Sequence, residues 1–267
     1  MSVRSTARAL PTMLRVAFAE AVAYRAEVLV WMLATTMPLI MLALWLAVAR
    51  EGPVGRLGET ELIAYFLSTF IVRQFTGSWA CWQINTEVRD GTLAMRLLRP
   101  VHPMLAYAAE QLVSVPVRGI FSLPIAIAGL IWLGTAPFPH DPLVWMGWAL
   151  SMLGAWLISL FVNFIVGCSS LFLESSLKIM DIWLALFFVF SGYLIPVELF
   201  PPIVRAIGDW LPFRYQIGLP VELMTGVYDR AASLTMLGRQ WLMVVVLGAF
   251  TAFVWRRGIG RFAAYGG

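Results

Sequence analysis

The sequence has little charge and almost no lysine, histidine or cysteine. Of its 267 residues, 13% are charged and 60% are hydrophobic, and the mean hydropathy is +0.81. Soluble domains usually carry about 25% charged residues, so this composition excludes an ordinary soluble protein and predicts an integral membrane protein. The net charge of +4 comes from arginines scattered among apolar segments. That distribution is typical of charges flanking a lipid bilayer and does not indicate a nucleic-acid partner.

Several catalytic and ligand-binding motifs are missing. There is no G-x4-GK[ST], and the single lysine, Lys178, has no glycine beside it, so the chain cannot bind ATP through a P-loop. The motifs G-x-S-x-G, H-E-x-x-H and C-x-x-C are also absent, and no catalytic residue is predicted. Cys81 and Cys168 lie in or beside apolar runs, which predicts buried thiols. His102 and His140 fall in loops on opposite predicted faces, so no metal site is expected.

Six apolar runs of about membrane-crossing length are separated by polar segments. A helix needs about 20 mostly apolar residues to cross the hydrocarbon core of a bilayer. We therefore predict an all-α integral membrane protein with six transmembrane helices, forming one domain over residues 1–267. The predicted spans are residues 27–49, 62–82, 104–133, 143–172, 177–195 and 239–255.

The segment before the first span, residues 1–24, is amphipathic. Leu10, Leu14 and other apolar residues recur at helical spacing, while Arg15 falls elsewhere. This pattern predicts an interfacial helix lying in the lipid headgroups, with a helix packed on a partner protein as the alternative. Within the first span, Pro38 is predicted to kink the helix.

The distribution of lysine and arginine predicts the orientation. Six spans place both termini on one side, and that side carries eleven of these residues against six on the other. Because positive charge accumulates on the cytoplasmic side of membrane proteins, both termini and the loop 85–103 are predicted to be cytoplasmic.

Loop 85–103 reads NTEVRDGTLAMRLLRPVHP and is a polar island between two apolar runs. Gly91 permits a sharp turn, Thr92 can cap a short helix, and Pro100 ends it. A helix of about two turns is unstable alone, so its leucines must dock on something. The residues leave two alternatives open, which are the protein's own helical bundle and a cytoplasmic partner.

Polar residues within the apolar runs form a second group of candidates. They are predicted to be structural contacts or part of a substrate path, because charge at membrane depth is costly unless it is paired. Glu110 is the predicted partner of Arg73, with Asp181 and Glu87 as alternatives. The candidates are Arg73, Gln74, Glu110, Arg118 and Asn163.

Two segments resemble the type 2 ABC-exporter permease family, specifically bacterial permeases of this length in an uncharacterised or viologen-exporter-like branch. The segment EVRDGTLAMRLLRPVHP resembles the cytoplasmic loop of that family, through Gly91, Leu93, Leu97, Leu98 and Pro100. Residues 191–226 resemble the series of prolines and glycines near its last span. The matching positions there are Ser191, Gly192, Pro196, Phe200, Pro201, Leu211, Pro212, Phe213, Pro220 and Gly226.

This resemblance implies a permease subunit of an ATP-driven exporter in a bacterial inner membrane. Its partners would be P-loop ABC ATPase subunits, a second identical or homologous permease, and the lipid bilayer. The chain would bind no cofactor itself, because ATP and Mg²⁺ belong to the ATPase. The implied coupling helix lies between spans 2 and 3. The implied ATPase-coupling residues are Glu87, Arg89, Asp90, Gly91, Leu93, Arg96, Leu97, Leu98 and Pro100.

The family also implies short re-entrant helices at the outer mouth, within residues 196–238. Prolines divide this segment into short pieces, and such pieces are tolerated at membrane depth only when protein or a cavity surrounds them. The alternative is an amphipathic helix lying on the outer leaflet. Two other functions remain open, an ion-driven secondary transporter and a membrane-embedded enzyme acting on lipid-linked substrates. The first needs carboxylates at membrane depth, for which Glu110 is the candidate.

Overall fold

The computed structural model describes residues 35–134 and 136–262, and this part of the chain is helical with no strand. The predicted interfacial helix 1–24 and the start of the first span lie outside these residues. Short 3-10 helices occupy Val197–Leu199 and Arg214–Gln216. The α-helices are α1 (Met37–Ala49), α2 (Glu59–Thr76), α3 (Ala80–Arg89), α4 (Leu93–Leu97), α5 (Pro103–Leu133), α6 (Pro142–Ser169), α7 (Leu177–Phe190), α8 (Pro202–Gly208), α9 (Gly218–Met224) and α10 (Arg230–Ile259).

Two of the described helices, α6 and α10, are long and apolar enough to cross a membrane. Helix α5 is a third if its two arms, which meet at an angle of 45° around residue 121, form one span. Pro124 follows this bend by one turn, and a proline inside a helix removes a backbone hydrogen bond to the preceding turn. The described parts of α1, α2 and α7 have 13, 18 and 14 residues, so six crossings remain a prediction.

Pro38 lies in the first turn of the described helix α1, where a missing N–H is tolerated. The kink of the first span at Pro38 stays a prediction, because residues 27–34 lie outside the described part of the chain. The predicted span 62–82 is divided, because α2 ends at Thr76 and α3 begins only at Ala80. Gly77, directly after α2, has an extended backbone with ψ of 139°.

Helix α6 occupies the centre of the bundle and packs against α2, α3, α7, α9 and α10. Small residues let two of these neighbours approach closely. A Cβ at Gly167 would lie 2.8 Å from Cβ of Ile84 and 3.2 Å from Cα of Cys81, both on α3. A Cβ at Gly154 would lie 2.8 Å from Cδ of Gln240 on α10. These contacts are typical of helices packed in membranes. They also bury Cys81 as predicted.

The two ends of the bundle carry different connections. At one end, here called the α4 end, the ring of His102 lies 5.6 Å from that of Trp255 near the end of α10. At the other end, here called the Arg214 end, Arg230 at the start of α10 bonds Asp141 at 2.7 Å. The loops after α1, α5 and α7 are also at the Arg214 end.

Candidate functional site

Helix α4 is held in a tight connection between α3 and α5. Gly91 has a φ of +74°, a left-handed conformation that glycine adopts without strain, and it reverses the chain after α3. Helix α4 begins at Leu93, one residue after Thr92, as predicted. The Thr92 side chain makes no capping hydrogen bond, however, because its backbone is already helical (φ −69°, ψ −13°). A capping side chain needs the extended backbone of a true N-cap.

Arg96 joins α4 to both neighbouring helices. Its Nη2 and Nε bond the carboxylate of Glu87 on α3 at 2.5 and 2.8 Å, and its Nη1 bonds Glu110 on α5 at 2.7 Å. Its guanidinium carbon also lies 4.1 Å from the ring centroid of Tyr107. Burial alone would lower the pKa of Arg96, but the hydrogen bonds to Glu87 and Glu110 raise it above its usual value. Arg96 is therefore charged at any physiological pH.

Two further donors complete this group, which we call the Arg96 cluster: Gln83, Glu87, Arg96, Tyr107 and Glu110. The Tyr107 hydroxyl donates to Oε2 of Glu87 at 2.5 Å, and Gln83 Nε2 donates to Oε2 of Glu110 at 2.7 Å. Each carboxylate oxygen of the cluster thus accepts at least one hydrogen bond, so the partly buried charges are satisfied. The prediction that Glu110 pairs with Arg73 is wrong, since Glu110 bonds Arg96 and Gln83. Sequence analysis missed Gln83 and Tyr107.

The apolar side chains of α4 are divided between two environments. Leu93 is fully buried in the bundle, where it packs with Val88. Met95, Leu97 and Leu98 are 66%, 37% and 80% exposed. Leu93 therefore docks on the bundle, while the other three apolar side chains remain exposed.

The remaining predicted coupling residues surround α4. Arg89 donates a hydrogen bond to the backbone carbonyl of Glu174, which connects the end of α3 to the loop after α6. Asp90 is the exposed C-cap of α3, and Pro100 is exposed after α4. These residues lie together at the α4 end.

The break between α2 and α3, residues 77–79, is stabilised by side chains from another helix. Nη1 of Arg118 donates to the Gly77 carbonyl at 3.1 Å. Oε1 of Gln111 accepts from the Trp79 amide at 3.0 Å. Irregular backbone at membrane depth requires such partners, because no water is available to replace them. Gln111 was not predicted, although a glutamine in an apolar run is a detectable signal.

Asn163 of α6 supports the start of α3 in the same way. Its Oδ1 accepts from the Cys81 amide at 3.2 Å, and its Nδ2 donates to the Ser159 carbonyl at 2.9 Å. Gln74 instead bonds Oγ1 of Thr35 at 2.8 Å. The predicted group of intramembrane polar residues therefore divides, because Arg118 contacts the break and Asn163 the first turn of α3, whereas Gln74 contacts Thr35 just before α1.

Arg73 lies half-buried near the same break. Its guanidinium carbon is 5.3 Å from the ring centroid of Phe187, and the guanidinium also interacts with the Tyr193 side chain. Within residues 35–134 and 136–262, Arg73 takes part in none of the ion pairs. Asp181 and Glu87, the other predicted partners, do not fill this role.

A buried charge network marks the Arg214 end. Arg214 and Glu222 are each 4% exposed, and Nη2 of Arg214 bonds both carboxylate oxygens, at 3.0 and 3.1 Å. The Tyr228 hydroxyl donates to Oε2 of Glu222 at 2.8 Å, and Arg214 also pairs with Asp209. The sequence motif drew attention to the prolines of this segment and not to these charges. The sequence feature that could have indicated this network is the presence of Arg214 and Glu222 within the apolar stretch 213–223.

The predicted outer-mouth residues flank these short helices. The Gly192 carbonyl accepts a hydrogen bond from the Tyr65 hydroxyl at 2.7 Å, and Gly192 itself has a φ of +84°. Ser191 is buried and its Oγ accepts from the Tyr193 amide at 3.2 Å. Turn and cap positions are occupied by Pro196, Phe200, Pro201, Pro212 and Phe213, and Pro220 lies in the first turn of α9.

The two short α-helices of this segment differ in burial. Helix α9 is buried from Gly218 to Leu223. In α8 and the turn after it, Ile203, Ile207 and Trp210 are 75%, 50% and 72% exposed. Helix α9 thus has the surroundings of a re-entrant piece, while α8 presents an apolar side outward, as a helix in the outer leaflet would.

The protein has long apolar helices, and buried polar side chains bond the backbone where a helix is interrupted. These features define a helical multi-pass membrane protein. The model of the family described as ABC-2 family transporter protein matches residues 57–266, and the chain belongs to that family. This confirms the resemblance found in the two sequence segments, and it favours a transport subunit over an enzyme. No curated protein matches the sequence.

Proposed function

We propose that the chain is the permease subunit of an ATP-driven exporter in a bacterial inner membrane. In this proposal it crosses the membrane six times with both termini in the cytoplasm. A second permease, identical or homologous, completes the translocation path, and separate P-loop ATPase subunits bind ATP and Mg²⁺. The observation that carries the proposal is the geometry of α4, which is tied to the bundle through Arg96 and exposes apolar side chains on its other side.

The exposed side of α4 suits a protein partner. Met95 and Leu97 of α4 and its C-cap residue Leu98 form an apolar surface. The helix has only five residues and is too short to be stable without its neighbours. Because the Arg96 cluster holds the inner side in place, the outer side is a preformed ligand for a groove. We propose that this groove lies on an ATPase subunit.

The same cluster supports a route for transmitting movement. Arg96 bonds Glu87 on α3 and Glu110 on α5, so a displacement of α4 acts on both helices at once. Helix α3 in turn meets α2 at the break of residues 77–79. We infer that closure of the ATPases displaces α4 and tilts these helices.

The charge at the α4 end supports its assignment to the cytoplasm. Arginine and lysine near span ends favour the cytoplasmic side. The Arg214 end, with the buried helix α9, would then form the outer mouth near Ser191 and Gly192. The basic residues of the α4 end include Arg89, Arg96, Arg99, Lys178, Arg256, Arg257 and Arg261.

Co-purification with the P-loop ABC ATPases encoded in the same genome tests the proposal. We expect Leu98→Asp to reduce the recovered ATPase about tenfold or more, because a buried apolar contact would gain a charge. Val227→Asp is the matched control, since Val227 is 50% exposed at the opposite end. Undiminished recovery with Leu98→Asp combined with Met95→Asp would reject the coupling role of α4.

The alternative functions lack a specific supporting contact. Glu110, the carboxylate that an ion-driven carrier would use, is already bonded to Arg96 and Gln83. Transport by proteoliposomes that contain the chain but no ATPase would nevertheless favour the carrier over the exporter.

A further inference from the structure

A narrow cleft beside the α2–α3 break is lined by hydrogen-bond donors and aromatic rings. It encloses about 30 Å³ and is bounded by α2, α3, α6, α7 and the 3-10 helix Arg214–Gln216. Arg73 is the only ionisable residue among those that line it, and the lining includes no carboxylate. The cleft therefore has a net positive charge.

A second arginine adds to this charge. A Cβ at Gly77 would lie 3.3 Å from Nη1 of Arg73 and 2.9 Å from Nη1 of Arg118, so both guanidinium groups lie close to Gly77 and to each other. Arg118 donates to the carbonyls of Gly77 and Ser114, which are neutral. No ion pair of the described residues includes either arginine. Like charges this close favour the binding of an anion.

An unpartnered donor lies in the same cleft. Gln216 is 4% exposed, and its Oε1 accepts from the Ser159 hydroxyl at 3.0 Å. Its Nε2 has no hydrogen-bond partner among the described residues, although Gln216 lines the cleft. A buried donor without a partner destabilises the protein, and a ligand with acceptor oxygens would remove that cost.

The aromatic walls indicate what is attached to the anion. Trp79 and Trp82 lie with ring centroids 5.1 Å apart on one side of the cleft, and Trp183 and Phe187 of α7 lie on the other. Aromatic faces bind planar or apolar groups through large contact areas. Because the cleft is narrow, only the acidic group would enter it, and the body would extend along these rings.

We propose that the cleft binds the acidic group of an amphipathic anion, such as a carboxylate, sulfonate or phosphate, with Arg73 and Gln216 as its ligands. This inference rests on the proposed function: if the chain is an exporter subunit, amphipathic anions are the class of substrate that it exports. A dicationic substrate would be repelled by Arg73 and Arg118.

Binding by the full chain in phosphatidylcholine nanodiscs tests this proposal without any ATPase. The probes are radiolabelled 2-naphthalenesulfonate and 2-naphthyltrimethylammonium, which share an apolar body and differ in the sign of the charge. We expect saturable binding of the sulfonate with a Kd at least about tenfold lower than that of the ammonium. Equal binding of the two probes overturns the proposal.

Variants locate the site. Arg73→Gln should raise the Kd of the sulfonate about tenfold or more, and Arg73→Lys should restore part of the affinity. Arg50→Gln removes an exposed charge outside the cleft and should leave the Kd unchanged. If Arg73→Gln does not fold, Gln216→Glu, which places a carboxylate in the cleft that Arg73 lines, should abolish sulfonate binding. Sulfonate binding that is unchanged by Gln216→Glu, or by a folded Arg73→Gln, contradicts the assignment.

Two further measurements distinguish a cargo anion from a lipid headgroup, and distinguish failure of the anion site from failure of the exporter proposal. Displacement of the sulfonate by added phosphatidylglycerol would support the anion site but overturn its assignment to cargo in favour of a lipid headgroup. Leu98→Asp should bind the sulfonate like the wild type. Sulfonate binding without ATP-dependent transport would count against the exporter alone, and transport of another compound without sulfonate binding would count against the cleft alone.

Discussion

Arg96 and Glu110 meet at 2.7 Å between Nη1 and Oε1, although they lie on different helices, α4 and α5. Both side chains are largely shielded from solvent, and Arg96 bonds Glu87 as well. Helix α4 is therefore attached to the bundle by charge as well as by the buried side chain of Leu93.

Removal of Arg96 should destabilise the protein more than removal of a neighbouring arginine. Arg96→Ala leaves the partly buried carboxylates of Glu87 and Glu110 without a cation, which we expect to cost about 1–3 kcal/mol of unfolding free energy. Arg99→Ala removes an exposed side chain from the same loop and should change it by less than about 0.5 kcal/mol. Denaturant unfolding in detergent measures both, and equal losses would contradict the structural role of the Arg96 cluster.

Asn163 should protect the first turn of α3. Asn163→Leu keeps the size of the side chain but leaves the Cys81 amide without its acceptor, at a cost of about 1–3 kcal/mol. Hydrogen exchange at the Cys81 amide should accelerate accordingly. Ser170→Ala, which removes a hydroxyl bonded only to a carbonyl in the preceding turn of its own helix, is the control and should leave that exchange rate unchanged.

Gly192 should not tolerate a side chain. A Cβ there would lie 2.6 Å from the Tyr65 hydroxyl and 2.8 Å from Cγ2 of Val197, and the φ of +84° disfavours alanine. We expect Gly192→Ala to lower the unfolding free energy by more than about 2 kcal/mol. Gly238→Ala, in a helix with nothing within 4 Å, should be neutral or slightly stabilising. Thermal unfolding of the two variants compares them, and a similar midpoint for both would be evidence against the close packing at Gly192.

Asp141 should contribute stability that depends on pH. The Leu143 amide, followed by Arg230, lowers the pKa of Asp141 below its usual value. A carboxyl whose pKa is lowered by folding stabilises the protein above its unfolded pKa of about 3.9, and this contribution is lost as the pH falls through the folded value. The midpoint of thermal unfolding should therefore be higher for the wild type than for Asp141→Asn at pH 7. The difference should shrink below about pH 4, and a constant difference from pH 7 to pH 3 would exclude ionisation as its cause.

Local rules predicted the features of α4 that depend on adjacent residues. The turn at Gly91 and the start of the helix after Thr92 follow from backbone preferences over four or five residues. The family resemblance likewise rested on contiguous segments. Whether the leucines of α4 dock on the bundle or on a partner was left open, because spacing along a short helix does not say which leucine faces the bundle.

Contacts between distant segments could not be predicted in this way. Glu110 was expected beside Arg73 because both lie inside adjacent apolar runs, but Arg96 reaches it from a short helix that spacing alone places in a loop. The break at residues 77–79 was missed for a related reason. The Trp79 amide in the break and the Cys81 amide just after it are bonded to Gln111 and Asn163, which lie 32 and 82 residues away in the sequence.

The break between α2 and α3 limits which parts of the protein can move separately. The Gly77 carbonyl and the Trp79 amide are bonded to α5, and the Cys81 amide in the first turn of α3 is bonded to α6. A change in the angle between α2 and α3 must therefore either break these bonds or take α5 and α6 along. The helices α2, α3, α5 and α6 are therefore expected to move together, unless new polar partners, such as water or a bound solute, replace these hydrogen bonds.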